Sequence, residues 1–299
     1  MSVSKKIKSI KNSVLNSIHN IHSIFALCAL NFRNYSDNVL SNDPNIIVSL
    51  TSFHKRFDQL HLTIRSILTQ KFSAPYSVHL ILSKADIDIA GGVPKEIMAL
   101  EKYGLKIIVV NEDLRSYKKL HYTLKDYPEK IIVTADDDVL YPKNWLTGLY
   151  EKWRKYPSCV VCYRGHFLAF KKSGEFYPYA QLMKNPMKLK RSTPSFALMP
   201  TGVSGVLYPP GLLSDFATRE ELFTEYAPFA DDIWYKLSSL ATDTKCVQVK
   251  FYNVHFPHLR GSQDNALNKM NVAQSLNDEQ LKKCYKVFPE ILDKIKLKI

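Results

Sequence analysis

The sequence predicts an α/β fold built on a doubly wound, mostly parallel sheet, with helical extensions at the N- and C-terminal ends. Three observations carry this expectation. Short β-branched runs alternate with segments of helical period from residue 45 onward, an acidic triplet closes one of those runs, and basic amphipathic segments occupy both ends of the chain.

Each element follows from its pattern. Asn45 to Leu50 is a β-branched apolar run that predicts the first strand, and Leu60, Ile64, Ile67 and Leu68 then recur at helical spacing. Val78 to Leu82 predicts a second strand, residues 94–102 a helix, and Leu105 to Val110 a third strand. A helix over 117–124 precedes a fourth strand, Lys130 to Thr134, which runs straight into Asp136, Asp137 and Asp138. Residues 145–155 read as helix and 159–163 as strand, and another helix begins near Asp231. Between these lie a basic loop from Lys184 to Arg191 and a Gly- and Pro-rich turn from Thr201 to Gly211. Repeated strand–helix units imply the parallel, doubly wound sheet.

The ends differ from this middle. Ile7, Ile10, Val14, Ile18, Ile21 and Phe25 recur at three and four residues while Lys5, Lys6, Lys8 and Lys11 cluster at the start, which gives a basic amphipathic helix with a polar linker over 1–44. Such a helix either lies on an anionic membrane face or docks on the rest of the protein. The domain over 45–276 follows, then a second basic amphipathic helix over 277–299, for which a solvated charged face is the commoner explanation. Ile24 to Leu30 is too short to span a bilayer and lacks the pattern of a cleavable signal, so a cytoplasmic location is expected, peripheral at the inner face of the cytoplasmic membrane if the helix binds lipid.

Composition bounds the rest. A chain of 299 residues with 45% hydrophobic and 23% charged residues buries a core as one domain plus appendages. Lys and Arg number 41 against 28 Asp and Glu, and that excess favours phosphate groups, anionic lipid or nucleic acid as partners. Nucleic acid is set aside, because the 17 Tyr and 15 Phe spread through apolar runs instead of interleaving with basic residues. Five scattered cysteines suit buried thiols, and Cys159 and Cys162 flank an apolar strand with no second pair at zinc spacing.

The acidic triplet carries the chemistry. Open parallel sheets bind ligands at the carboxyl ends of their strands, where Asp136, Asp137 and Asp138 fall. Adjacent acids repel unless a cation neutralises them, and Mn²⁺ or Mg²⁺ bridging two phosphates answers that need. Side-chain alternation would place Asp136 and Asp138 on one side, with Asp137 pointing away. The blander reading is an exposed acidic turn that caps the next helix.

Five segments stand out together: Ile46-Ile-Val-Ser-Leu-Thr-Ser-Phe53, Ser116-Tyr-Lys-Lys-Leu120, Ile132-Val-Thr-Ala-Asp-Asp-Asp-Val-Leu-Tyr-Pro142, Gly202-Val-Ser-Gly-Val-Leu-Tyr-Pro-Pro210 and Ala230-Asp-Asp-Ile-Trp234. In this order they resemble the glycosyltransferase A-type fold and, within it, bacterial family 2-like transferases of surface-polysaccharide assembly, from about residue 45 to 260. The resemblance implies a metal-dependent glycosyltransferase with a hexosyl donor linked to a nucleoside diphosphate, UDP first, and a saccharide or glycolipid acceptor in capsule or lipopolysaccharide synthesis. Thr51, Ser52 and Arg56 would then hold the nucleobase and ribose, with Asp86 a weaker base contact because Ser83-Lys84-Ala85-Asp86 departs from the family's acidic turn. Lys118 and Lys119 would meet the diphosphate, where a leaving group needs cations. Their blander reading is a solvated helix face.

Asp136 and Asp137 would belong to the nucleotide site, Asp136 touching ribose or a metal-bound water, while Asp138 ligates the metal and His255 or His258 completes the shell. A structural imidazole is the alternative for each histidine. Gly202 and Gly205 would let backbone approach the donor sugar, or simply make a tight turn. Of Asp231 and Asp232, one would be the general base, with Asp231 favoured, and the other a helix cap. Arg260, Gln263 and Asn265 lie in a polar loop placed for acceptor or diphosphate. Direct displacement would invert the anomeric carbon, with retention as the alternative outcome. Two other functions share these features: a sugar-nucleotidyltransferase, although no Gly-rich basic loop follows the first strand, and a non-catalytic, membrane-associated scaffold.

Overall fold

The β-branched runs become the strands of one central sheet. In this computed structural model, which describes residues 21–40, 44–262 and 276–298, β1 (Ile46–Thr51), β2 (Tyr76–Ser83), β3 (Leu105–Val110), β4 (Ile131–Ala135), β5 (Cys159–Cys162), β8 (Val206–Tyr208) and β9 (Lys245–Gln248) lie in the order β3-β2-β1-β4-β8-β5-β9. β1 pairs in parallel with β2 and β4, β2 with β3, and β5 with β9. β8 alone runs antiparallel, between β4 and β5. A separate ribbon pairs β6 (Gly165–Phe167) with β7 (Leu198–Pro200). The expected doubly wound, mostly parallel sheet is therefore observed.

Pleating divides the core. Val133 and Val161 face one cluster with Val48, Leu80, Ile64 and Trp145, whereas Ile132 and Val160 face a second with Tyr117, Leu120 and Trp234. Two faces buried at once demand the near-continuous apolar runs that made these strands legible. The helices that cover them include α2 (Phe57–Leu68), α5 (Lys118–Asp126), α6 (Trp145–Lys155) and α9 (Asp231–Ala241).

Ser83-Lys84-Ala85-Asp86, which departs from the family's acidic turn, opens α3 (Lys84–Ala90), because Ser83 Oγ accepts the Asp86 N–H at 3.2 Å and donates to Asp86 Oδ2 at 2.6 Å. One local expectation is revised. The Gly- and Pro-rich turn over 201–211 contains β8, whose Val206, Leu207 and Tyr208 are too short a run to reveal a strand by period.

The terminal segments dock on this body. A helix over 21–31, here α1, buries Leu30 against Leu140 and Leu259, and Ser23 Oγ donates to the His258 carbonyl at 2.6 Å. The helix Leu276–Val287 and the segment after it bury Leu281, Cys284, Leu292 and Ile295 in the second core, and Lys294 Nζ donates to the Leu240 carbonyl at 2.9 Å, where a cation suits a helix C-terminus. The basic tail thus spends its apolar face on the protein. Cys159, Cys162, Cys246 and Cys284 are buried free thiols and Cys28 is exposed. The amphipathic pattern over residues 1–20, and Gln263 and Asn265, fall outside the described residues. Among those described, no helix is long and apolar enough to cross a membrane.

Candidate functional site

The site gathers at the carboxyl ends of β1 and β4, which lie side by side with Leu50 opposite Ala135. That register puts the loop after β1 against the acidic triplet. Ser52 Oγ donates to Asp137 Oδ2 at 2.5 Å, and Arg56 Nη1 donates to Asp137 Oδ1. Arg56 Nη2 lies 3.3 Å from Asp138 Oδ2 and donates to the Ser262 carbonyl at 3.1 Å. Residues 138–140 run antiparallel to the loop 257–259, with Leu140 N–H to Pro257 O and Leu259 N–H to Asp138 O both at 2.8 Å. This pairing brings His258 Nδ1 to 3.5 Å from Asp138 Oδ1. A cleft beside these groups is lined by Lys55, Arg56, Asp137, Asp138, Arg260 and Ser262.

The triplet does not alternate. After Ala135 the chain leaves the strand and turns through Asp137 and Asp138, so period two ends with β4. Asp137 and Asp138 share Arg56, and Asp136 instead meets Lys119, with Oδ1 3.1 Å from Nζ. Tyr141 Oη accepts the Asp136 N–H at 2.8 Å and fixes the turn.

Lys119 joins the triplet to the α9 acids. Its Nζ lies 3.5 Å from Asp231 Oδ2, Ser116 Oγ donates to Asp231 Oδ1 at 3.0 Å, and the Gly202 N–H donates to Asp232 Oδ1 at 2.8 Å. A Cβ on Gly202 would stand 2.7 Å from Lys119 Nζ, so glycine is what admits the ammonium here. Burial opposes charge on Lys119, yet Asp136, Asp231 and Asp232 outweigh it and hold its pKa well above the usual value.

The carboxylates are tuned apart. Burial and the Asp231 charge push Asp232 up to about 7 against the pull of Lys119. Burial pushes Asp137 up to about 6 despite Arg56. Asp138 resists burial and is held below the usual carboxylate range by the His258 hydrogen bond and Arg56. Opposite charges in contact are worth about 4 kcal/mol at an effective dielectric near 20, too little for Arg56 and Lys119 to neutralise five carboxylates. The remaining negative field is one a dication would relieve.

Several expected residues have other employment. Asp86 Oδ1 accepts the His54 N–H at 3.1 Å and meets His54 Nδ1 at 2.8 Å, and Oδ2 accepts from Ser83 at 2.6 Å and Lys118 at 3.3 Å. With both oxygens so engaged, Asp86 fixes the loop after β1 instead of facing a base. Lys118 is spent on Asp86 and on Asp113 at 2.6 Å, and Thr51 Oγ1 donates to the Ile81 carbonyl at 2.7 Å. Gly205, at φ +98°, packs where a Cβ would stand 2.6 Å from the Trp145 ring, and its N–H and C=O bond Gly202 and Tyr163, so it serves the core and not a ligand. His255 is exposed, and its charge acts on His166. Among the described residues no group of three or more His, Cys, Asp or Glu is arranged to hold a metal ion. Sequence reasoning gave no role to Ser116 or to the Ser262 carbonyl, since neither residue type announces a buried partner.

No family model matches the chain, and no curated protein matches it. Among solved structures it is similar to the mannosyltransferase PcManGT of Pyrobaculum calidifontis in complex with GDP-Man and Mn²⁺, at TM-score 0.50 and 11% identity over 95% of this chain and 79% of that one. It is also similar to residues 1–349 of S. aureus TarS, at TM-score 0.44 and 12% identity over 85% and 75% of the two chains. For the same TarS segment in complex with UDP the values are 0.46 and 12% over 84% and 70%. At such identities the likeness is one of fold.

Removing the central cation should be costly. Lys119→Met leaves Asp136, Asp231 and Asp232 uncompensated, and urea unfolding at pH 7.5 should show a loss of about 3–5 kcal/mol. The deficit should shrink toward pH 5, because protonating the carboxylates removes the charge that Lys119 no longer balances.

Proposed function

We propose that this chain is a glycosyltransferase that moves a sugar from a nucleoside-diphosphate donor, UDP-linked first, to a hydroxyl of a saccharide or glycolipid acceptor, with inversion and with Mn²⁺ or Mg²⁺. Residues 45–276 form its catalytic unit. One observation carries the reading: Lys119 touches both Asp136 of the strand-end triplet and Asp231 of α9, so the proposed nucleotide and acceptor groups share one buried contact.

The donor set supports a metal held partly by the substrate. Asp138 and His258 are a carboxylate and an imidazole in contact, and small dications commonly take one or two protein ligands plus phosphate oxygens. Bound there, the ion would neutralise charge on the departing diphosphate. Arg56 lies alongside to pair with phosphate, while Ser52 and Asp137 hold the loop that faces the nucleotide.

Asp232 is the better base. Asp231 is tied to Lys119 and Ser116, whereas Asp232 rests on one backbone N–H and titrates near neutrality, which suits proton transfer. Asp231 then positions Lys119, reversing the order of preference drawn from sequence.

The setting is surface-polysaccharide synthesis at the inner face of the cytoplasmic membrane. Support comes from α1, whose outer face shows Ile21, Ile24 and Phe25 at 51%, 56% and 70% exposure, with Phe32 just after it at 89%, while its inner face rests on the His258 loop. Exposed apolar side chains at helical spacing, following the Lys5 to Lys11 cluster, fit an anionic bilayer surface.

Three measurements test this reading. Thermal shift with UDP- and GDP-sugars should show stabilisation that grows with Mn²⁺, and Asp138→Ala should lose the metal-dependent part; a shift indifferent to both metal and Asp138 would remove the metal assignment. The pH profile of kcat/KM should fall about tenfold per unit below pH 7, since the base works deprotonated, and Asp232→Asn should lower kcat by about 10²–10⁴-fold while donor still binds. Near-native turnover in that variant would assign the base elsewhere. Ile24→Asp with Phe25→Asp should weaken sedimentation with phosphatidylglycerol vesicles about tenfold or more.

A further inference from the structure

One residue from the backbone contact of the proposed base, a guanidinium is held that has no carboxylate partner among the described residues. Arg164 follows β5, accepts the Thr201 N–H on its carbonyl at 3.0 Å, and donates from Nη1 to Thr201 Oγ1 at 3.1 Å. The next residue, Gly202, is the one that donates to Asp232. Arg164 is thereby fixed one residue from the base contact. Its Nε is buried with no partner, and among the described residues no carboxylate pairs with its guanidinium. With Nη1 taken by Thr201, the unpartnered edge is the Nε and Nη2 pair, the fork that grips a carboxylate or phosphate with two parallel hydrogen bonds.

The surroundings repeat the sign. Arg191 Nη1 donates to the Gly165 carbonyl at 2.7 Å, which brings a second guanidinium to the same strand. His166 is buried with Nδ1 unpartnered, and burial together with the charges of Arg164, Arg191 and His255 pushes its imidazole down to about 3. Tyr179 stands edge-on to His166 at 5.5 Å between ring centroids, and burial and the Asp232 charge raise its phenol while Arg164 lowers it. Farther out, Lys184, Lys188 and Lys190 are exposed on the loop that precedes Arg191. None of the three forms an ion pair among the described residues.

We propose that this cluster is an acceptor subsite for an anionic saccharide: Arg164 grips a carboxylate or phosphate on the acceptor beside the hydroxyl that Asp232 deprotonates, and Lys184, Lys188 and Lys190 meet the anionic groups that follow. The inference rests on the transferase reading and deepens it by naming the acceptor's charge. A neutral acceptor would leave the Arg164 fork desolvated and unpaired.

The test is isothermal titration of the full-length chain with three probes of matched length: an oligogalacturonate, a glycerol phosphate oligomer and a neutral maltooligosaccharide. UDP and GDP with Mn²⁺ are titrated in parallel. One anionic probe should bind at least about tenfold tighter than the neutral one, and which probe does so separates carboxylate from phosphate as the source. Arg164→Gln should erase that preference while nucleotide affinity holds. The triple change Lys184→Gln, Lys188→Gln and Lys190→Gln, on an exposed loop, should reduce it and its salt dependence, and decides the matter if Arg164→Gln fails to fold. Equal binding of charged and neutral probes, or an anionic preference untouched by these changes, overturns the subsite. Wild-type protein that ignores nucleotides would instead strike the transferase reading.

Discussion

The buried ammonium of Lys119 organises the site. It sits among Asp136, Asp231 and Asp232, which come from the end of β4 and the start of α9, regions about a hundred residues apart in the chain. No apolar contact could hold carboxylates together in this way, because desolvated like charges repel more strongly as water is removed. One cation makes the assembly tolerable without neutralising it. The surplus negative charge is therefore the structural weakness of the site, and in the proposed function it is the charge that a bound dication would offset.

Around that contact the chain fixes each loop with groups that then have nothing left for a ligand. Asp86 receives His54, Ser83 and Lys118, and so braces the β1 loop from which Arg56 reaches the triplet. Thr51 ties β1 to β2, and Gly205 admits Trp145 beneath the turn that carries Gly202. Rigid support of this kind lets Arg56, Asp138 and His258 meet across distant segments. Against that saturation stand the buried Nε of Arg164, which has no partner, and Asp232, whose pKa is raised.

The two ends of the chain use similar sequence patterns differently. The C-terminal segment buries its apolar side chains against α9 and gives Lys294 to that helix's last carbonyls. α1 makes a narrower contact through Ser23 and Leu30 and leaves a second apolar face exposed. Amphipathic period alone marks one buried side; only the packed structure tells whether the other side is polar or apolar.

The sequence by itself determined the sheet and the acidic end of its central strands. Ile46 to Thr51, Val78 to Leu82 and Ile131 to Ala135 are largely apolar with little polar alternation, and a strand with that pattern has nowhere stable to lie except the middle of a covered parallel sheet. Strand-end acids at Asp136 to Asp138 were legible for the same reason. Tertiary structure alone decided which acid meets which cation, because the turn after Ala135 abolished the alternation that sequence reasoning relied on. It also decided that Asp86, Lys118 and Gly205 support the site, that His258 and not His255 meets Asp138, and that α3 and β8 exist. Charge pairing and hydrogen-bond saturation depend on distances between segments far apart in the chain, and no local pattern encodes them.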